Sequence, residues 1–176
     1  MRLGAVIAVA VAAAFVAWLV IDRTGDSPSK PAAPSTGSRI GPVAMAPAEL
    51  KDLADELGHP VYWAGPRVGY TYELTKTRDG KVYIRYLPEG VKVGDPRSTF
   101  LIIATYPFPN AFKALKDVGG GRTIPIPADG TALVDAAYPK SVHVAYPKVD
   151  YQVEVYDASP RISRQVAVSG QVQPVG

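Results

Sequence analysis

The 176-residue chain contains no cysteine. That absence excludes a disulfide-stapled scaffold, a thiolate metal site, a cysteine nucleophile and a lipid-modified N-terminal cysteine. Histidine is almost as scarce, with only His59 and His143, and neither stands at a metal-ligand spacing such as His-x-His or His-Glu-x-x-His. No metal and no cofactor is therefore expected. A Gly-x-Ser-x-Gly nucleophile elbow is missing too. Charge of one sign is also lacking where it would matter. The formal net charge of +3 comes from 19 Lys/Arg against 16 Asp/Glu, but four of those cations and two of those acids precede Pro47. Beyond that point the balance is about 15 to 14, which leaves no concentrated basic face, so no nucleic-acid partner is expected.

The chain is rich at its start in apolar residues. Residues 3–21 form an unbroken apolar run, preceded by Arg2 and followed by Asp22 and Arg23. A helix of about 20 apolar residues spans roughly 30 Å, the hydrocarbon thickness of a bilayer. Secretory signal cores are shorter, about 7–15 residues, and end at a small-x-small cleavage site. This run ends instead on Trp18, Leu19, Val20 and Ile21. An uncleaved signal-anchor over 1–23 is the expectation, with the membrane contacted through residues 3–21. Arg2 and the α-amino group place the N-terminus in the cytoplasm and the rest of the chain outside it.

Residues 24–46 mix Pro28, Pro31, Pro34 and Pro42 with Ser, Gly and Ala, without apolar periodicity. Such a stretch buries too little surface to offset its ordering entropy and reads as a disordered linker. Residues 47–170 read as one extracytoplasmic α+β domain, and 171–176 as a flexible tail.

Within that domain, Leu50, Leu53, Ala54 and Leu57 share a helical face between Pro47 and Gly58. Residues 70–87 alternate in apolar character on both sides of Asp79-Gly80, a hairpin with an expected type I′ turn. A nearly continuous apolar strand covers 99–106, a helix 109–118, and further strands 131–136, 141–145 and 151–156. A last helix starts at Ser159-Pro160. Gly119-Gly120-Gly121 follows a helix rather than preceding one, so it reads as a helix end and not a phosphate loop. The expected fold is a mainly antiparallel sheet of about six strands with two to three helices on one face, preceded by one transmembrane helix and a Pro-rich stalk.

Few residues suggest chemistry. Glu73, Asp135 and Glu154 are strand acids and His143 alternates with apolar neighbours. Solvent-facing strand charge is the simpler reading of the acids, and a surface or half-buried strand position that of His143. Tyrosine is the one compositional excess, with ten against four phenylalanines and two tryptophans. Three tyrosines precede proline (Tyr106, Tyr138, Tyr146), where the dipeptide serves to end a strand. Tyr62, Trp63, Tyr70 and Tyr72 cluster around Trp63-Ala64-Gly65-Pro66 and form the candidate binding patch.

The anchor, the proline-rich stalk, the segment Leu57-Gly58-His59-Pro60-Val61-Tyr62-Trp63-Ala64-Gly65-Pro66 and the closing Tyr151-Gln152-Val153-Glu154-Val155-Tyr156-Asp157 together resemble uncharacterised membrane-anchored envelope proteins of actinobacteria. The resemblance implies an extracytoplasmic location and transfers no catalytic residue. The expected function is a non-catalytic domain binding a protein or a polysaccharide of the cell envelope. A lipid or small-molecule carrier with an apolar cavity, and an envelope hydrolase using Asp135, Glu154 or His143, are the alternatives.

Overall fold

In the computed structural model, residues 40–118 and 121–176 are described. The expected membrane helix over 1–23, most of the linker, and Gly119 and Gly120 lie outside them. Among the described residues no helix is long and apolar enough to cross a membrane.

The strands are β1 (Ile40–Met45), β2 (Tyr62–Trp63), β3 (Tyr70–Lys76), β4 (Val82–Pro88), β5 (Ile102–Pro107), β6 (Arg122–Ile126), β7 (Gly130–Val134), β8 (Ser141–Ala145), β9 (Tyr151–Tyr156) and β10 (Gln173–Pro174). The helices are α1 (Pro47–Leu57), α2 (Ala111–Asp117) and α3 (Pro160–Val168). Eight strands form one antiparallel sheet in the order β1-β3-β4-β5-β9-β8-β7-β6, while β2 and β10 pair separately. Two meanders, β3–β5 and β6–β9, thus meet where β5 lies beside β9.

This corrects the expectation of about six strands. β1 lies inside the stretch read as linker, and β6 was missed because Pro125 sits within it and Pro127 follows. Both are the sheet's edge strands, and a proline is tolerated at an edge because that side needs no ladder hydrogen bond. The end of the chain is ordered as well: Val172 and Val175 are buried, and Val175 N–H donates to the Val61 carbonyl at 2.8 Å.

The sheet's two faces differ. Leu74, Ile84, Ile103, Val155 and Val142 stand opposite one another in register and share one face. They join Leu50, Leu53 and Ala54 of α1 and Val166 and Ala167 of α3 in the main core. Helix α1 begins at Pro47, has Glu49 accepting the Ala46 N–H at 2.6 Å, and ends at Gly58, whose φ of 65° a side chain would disfavour. Helix α3 also begins with proline, and Asp157 rather than Ser159 takes up a free N–H at its start, that of Ser159.

Helix α2 lies on the other face, where Ala111 and Leu115 pack on Leu133 and Ala145. The helices are therefore not gathered on one face. The alternation of β8 made His143 read as a surface or half-buried residue, whereas that side is covered and His143 is buried.

The hairpin turn also departs from type I′. Gly80 has positive φ (81°) and Asp79 does not, and Gly80 N–H donates to the Thr77 carbonyl. This is a type I turn closed by a glycine bulge. The double positive-φ turn occurs instead at Ala128-Asp129 (58° and 55°), between β6 and β7.

Candidate functional site

Tyr62, Trp63, Tyr70 and Tyr72 are brought together, mostly inside the protein. Tyr62, Trp63 and Tyr72 are buried, and Tyr70 is 40% exposed at the rim. Trp63 meets Tyr72 edge-on with centroids 5.7 Å apart, Tyr72 meets Tyr86 at 5.2 Å, and Tyr62 stacks on Tyr146 at 5.2 Å. Their polar ends hold irregular backbone. The Tyr86 hydroxyl accepts the Ala64 N–H at 2.7 Å and donates to the Gly65 carbonyl at 3.1 Å. The Tyr72 hydroxyl accepts the Arg67 N–H and donates to the Arg67 carbonyl. Tyr146 donates to the Val172 carbonyl at 2.8 Å, fixing the chain end. Tyrosine suits this task because its ring adds to the core while its hydroxyl satisfies backbone that has no ladder partner. Burial raises the Tyr62 and Tyr86 phenols, and raises Tyr146 to about 12, so all stay protonated donors.

The opposite face carries a buried polar layer. In register, Tyr83, Ala104, Glu154, His143 and Leu133 form one row across β4, β5, β9, β8 and β7. The neighbouring rows bring in Glu73, Arg85 and Ser141 on one side and Tyr106 and Gln152 on the other. His143 Nδ1 and the Tyr106 hydroxyl share a hydrogen bond at 3.2 Å, and Ser141 donates to Glu154 Oε1 at 2.6 Å. Burial lowers the His143 pKa, against the opposing pull of Glu154 and Asp135, and raises that of Tyr106. Gln152 is fully buried, and among the described residues neither its Oε1 nor its Nε2 has a partner.

Glu73 and Arg85 form a buried ion pair beneath the β4–β5 connection. Arg85 also donates to the carbonyls of Asp95 and Arg97, and Glu73 accepts the Gly94 N–H. Arg97 grips Asp95 through both Nε and Nη2, which holds the Asp95 carboxyl down at about 2. The Arg85 and Arg97 guanidinium groups each lie 5.2 Å from the Phe100 ring centroid.

Of the acids singled out with His143, Glu154 is its direct cross-strand neighbour and Glu73 belongs to the ion pair. Asp135 accepts the Ala137 N–H at 2.8 Å and lines a groove of about 520 Å³ with Arg161 and Arg164 of α3. Ser141 is bonded to Glu154, and His143 to Tyr106. Among the described residues no group of three His, Asp or Glu side chains is placed to hold a metal ion.

An open groove of about 730 Å³ lies between α2 and the β6–β7 hairpin. Lys116 of α2, Thr123 of β6, Asp129 of the turn, Thr131 of β7 and Lys148 after β8 line it, with Pro125 and Pro147 between them. The Lys116 ammonium sits 4.1 Å from the Phe112 ring centroid. Sequence reading missed this groove because its residues come from four separate segments and match no motif.

The fold is thus an α+β domain built on one eight-stranded antiparallel sheet. No protein-family model, no curated protein and no solved structure matches the chain, so the reading of its sites rests on their geometry.

Proposed function

We propose that the chain is a membrane-attached domain that acts outside the cytoplasm as a non-catalytic binding module for a component of the cell envelope. The apolar run over residues 3–21, with Arg2 before it, supports the attachment and the orientation. One contrast supports binding over catalysis. The groups suited to acid–base or nucleophilic work, Ser141, His143, Glu154 and Tyr106, are buried and engaged with one another. Lys116 and Lys148, which pair with no carboxylate among the described residues, stand at the surface in the groove beside α2. A carrier reading draws less support, since buried side chains fill the space between the sheet and helices α1 and α3.

The test immobilises the full chain in detergent and passes envelope fractions, protein and glycan, over it. Saturable retention of one component, recovered with unchanged mass, is the expected result. Retention that never saturates, or a retained component cleaved on release, refutes the reading.

A further inference from the structure

We infer that the groove between α2 and the β6–β7 hairpin binds an acidic saccharide, an inference that rests on the binding reading above and gives it a ligand class. Its volume of about 730 Å³ falls within the range of roughly 300–1,000 Å³ typical of small-ligand sites. Thr131 is only 3% exposed and lines the groove, yet its hydroxyl makes no hydrogen bond among the described residues. The hydroxyl is reached from the groove rather than sealed in the sheet, so it stands ready to bond a ligand atom.

The charges name the acid. Neither Lys116 nor Lys148 is paired with a carboxylate among the described residues, and Lys116 is held over the Phe112 ring, which positions an ammonium without neutralising it. Lys148 is fixed in a left-handed conformation, φ 63°, directly after the Tyr146-Pro147 pair that ends β8. Two cations lining one groove suit a carboxylate or phosphate on the ligand.

The remaining lining names the body that carries the acid. Asp129 offers an acceptor, and Thr123 and Thr131 offer hydroxyls that both donate and accept. Pro125 supplies C–H surface between them. A purely apolar ligand would leave these groups dry. A bare anion would leave the groove largely empty and would face the Asp129 charge. A polyhydroxylated ring bearing an acid satisfies all of them.

Titration calorimetry on the detergent-solubilised full chain tests this with three probes: a galacturonic acid trisaccharide, the matching neutral galactose trisaccharide, and inorganic phosphate. The acidic trisaccharide is expected to bind about tenfold or more tightly than either other probe, because it alone makes the charge-assisted bonds together with the hydroxyl contacts. Lys116→Gln and Lys148→Gln should each weaken it about tenfold. Thr131→Val, which keeps the branched shape, should weaken it about fivefold. Equal binding of the acidic and neutral sugars, phosphate binding as tightly as the sugar, or indifference to both lysine variants overturns the assignment. If the full chain still retains an envelope component saturably after Lys116→Gln and Lys148→Gln, the binding reading stands and the groove assignment alone fails.

Discussion

On one face of the sheet Leu74, Ile84, Ile103, Val155 and Val142 meet helix side chains. One residue along the same strands, the other face carries Glu73, Arg85, Tyr83, Glu154 and His143. Both faces are buried, but only the first is held by burial that requires no directional bonding. On the second, the polar groups other than Gln152 depend on specific partners, because an unpaired polar group in a low-dielectric layer costs far more than it does in water. The first face tolerates repacking and the second does not. Substitutions chosen one from each face test that difference.

The largest effect belongs to the ion pair. Arg85→Ala deprives Glu73, 1% exposed in the intact protein, of its guanidinium partner and removes the bonds to the Asp95 and Arg97 carbonyls. Breaking one partner of a buried pair costs about 3–5 kcal/mol, and chemical denaturation should read that loss. The β4–β5 connection should also become more susceptible to proteolysis. A loss under about 1 kcal/mol would mean that this face is as forgiving as the other.

Next comes the tyrosine that ties the first face to irregular backbone. Tyr86→Phe preserves the ring but strips the Ala64 N–H of its acceptor and the Gly65 carbonyl of its donor. Leaving such groups buried costs about 1–3 kcal/mol. Hydrogen exchange should localise the loosening to the backbone around Ala64 and Gly65. Uniform destabilisation without faster exchange there would show that the hydroxyl does not pin this segment.

The same contrast explains what could be read from the residues in order. Helix α1 was visible because Pro47, the stripe Leu50-Leu53-Ala54 and Gly58 agree with one another. The β3–β4 hairpin was visible because alternation and Asp79-Gly80 coincide. β1 and β6 were not, because each is an edge strand interrupted by a proline, the residue that otherwise marks a loop. The covered second face was equally hidden: a buried row of Tyr83, Glu154 and His143 has the same alternation as a solvated one, and only register places the residues side by side. The aromatic cluster was visible as a cluster, while its burial beneath the chain's own turns depends on tertiary packing that a list of tyrosines cannot carry.

A smaller effect should appear as a pH slope. His143 faces Tyr106 on β5 and Glu154 on β9, with Asp135 also acting on it, and burial keeps its folded pKa below the usual histidine value. Between that lowered value and about 6.5 the unfolded chain binds the extra proton and the folded one does not. His143 therefore costs no stability above about pH 6.5 and progressively more as pH falls through that window. Denaturation midpoints for His143→Gln should decline less steeply from pH 7 to pH 5 than those of the wild type. Parallel curves would place the acid sensitivity in the carboxylates instead.

Gln152 should give the smallest change, and in the opposite direction. Its neighbours across the ladders are Tyr106 and Ala145, and both ends of its amide are buried without a partner among the described residues. An unbonded amide gains nothing from being polar, so an apolar side chain of similar length should be accepted without loss. Gln152→Met is expected to be neutral or to stabilise by up to about 1 kcal/mol, since replacing an unsatisfied polar group by an apolar one of similar shape removes a desolvation penalty. This is the one position where the second face should behave like the first. A clear destabilisation would mean that the amide is solvated by internal water and belongs to the polar layer as fully as His143 and Glu154. The rule that each polar group on this face depends on its partner would then hold without exception.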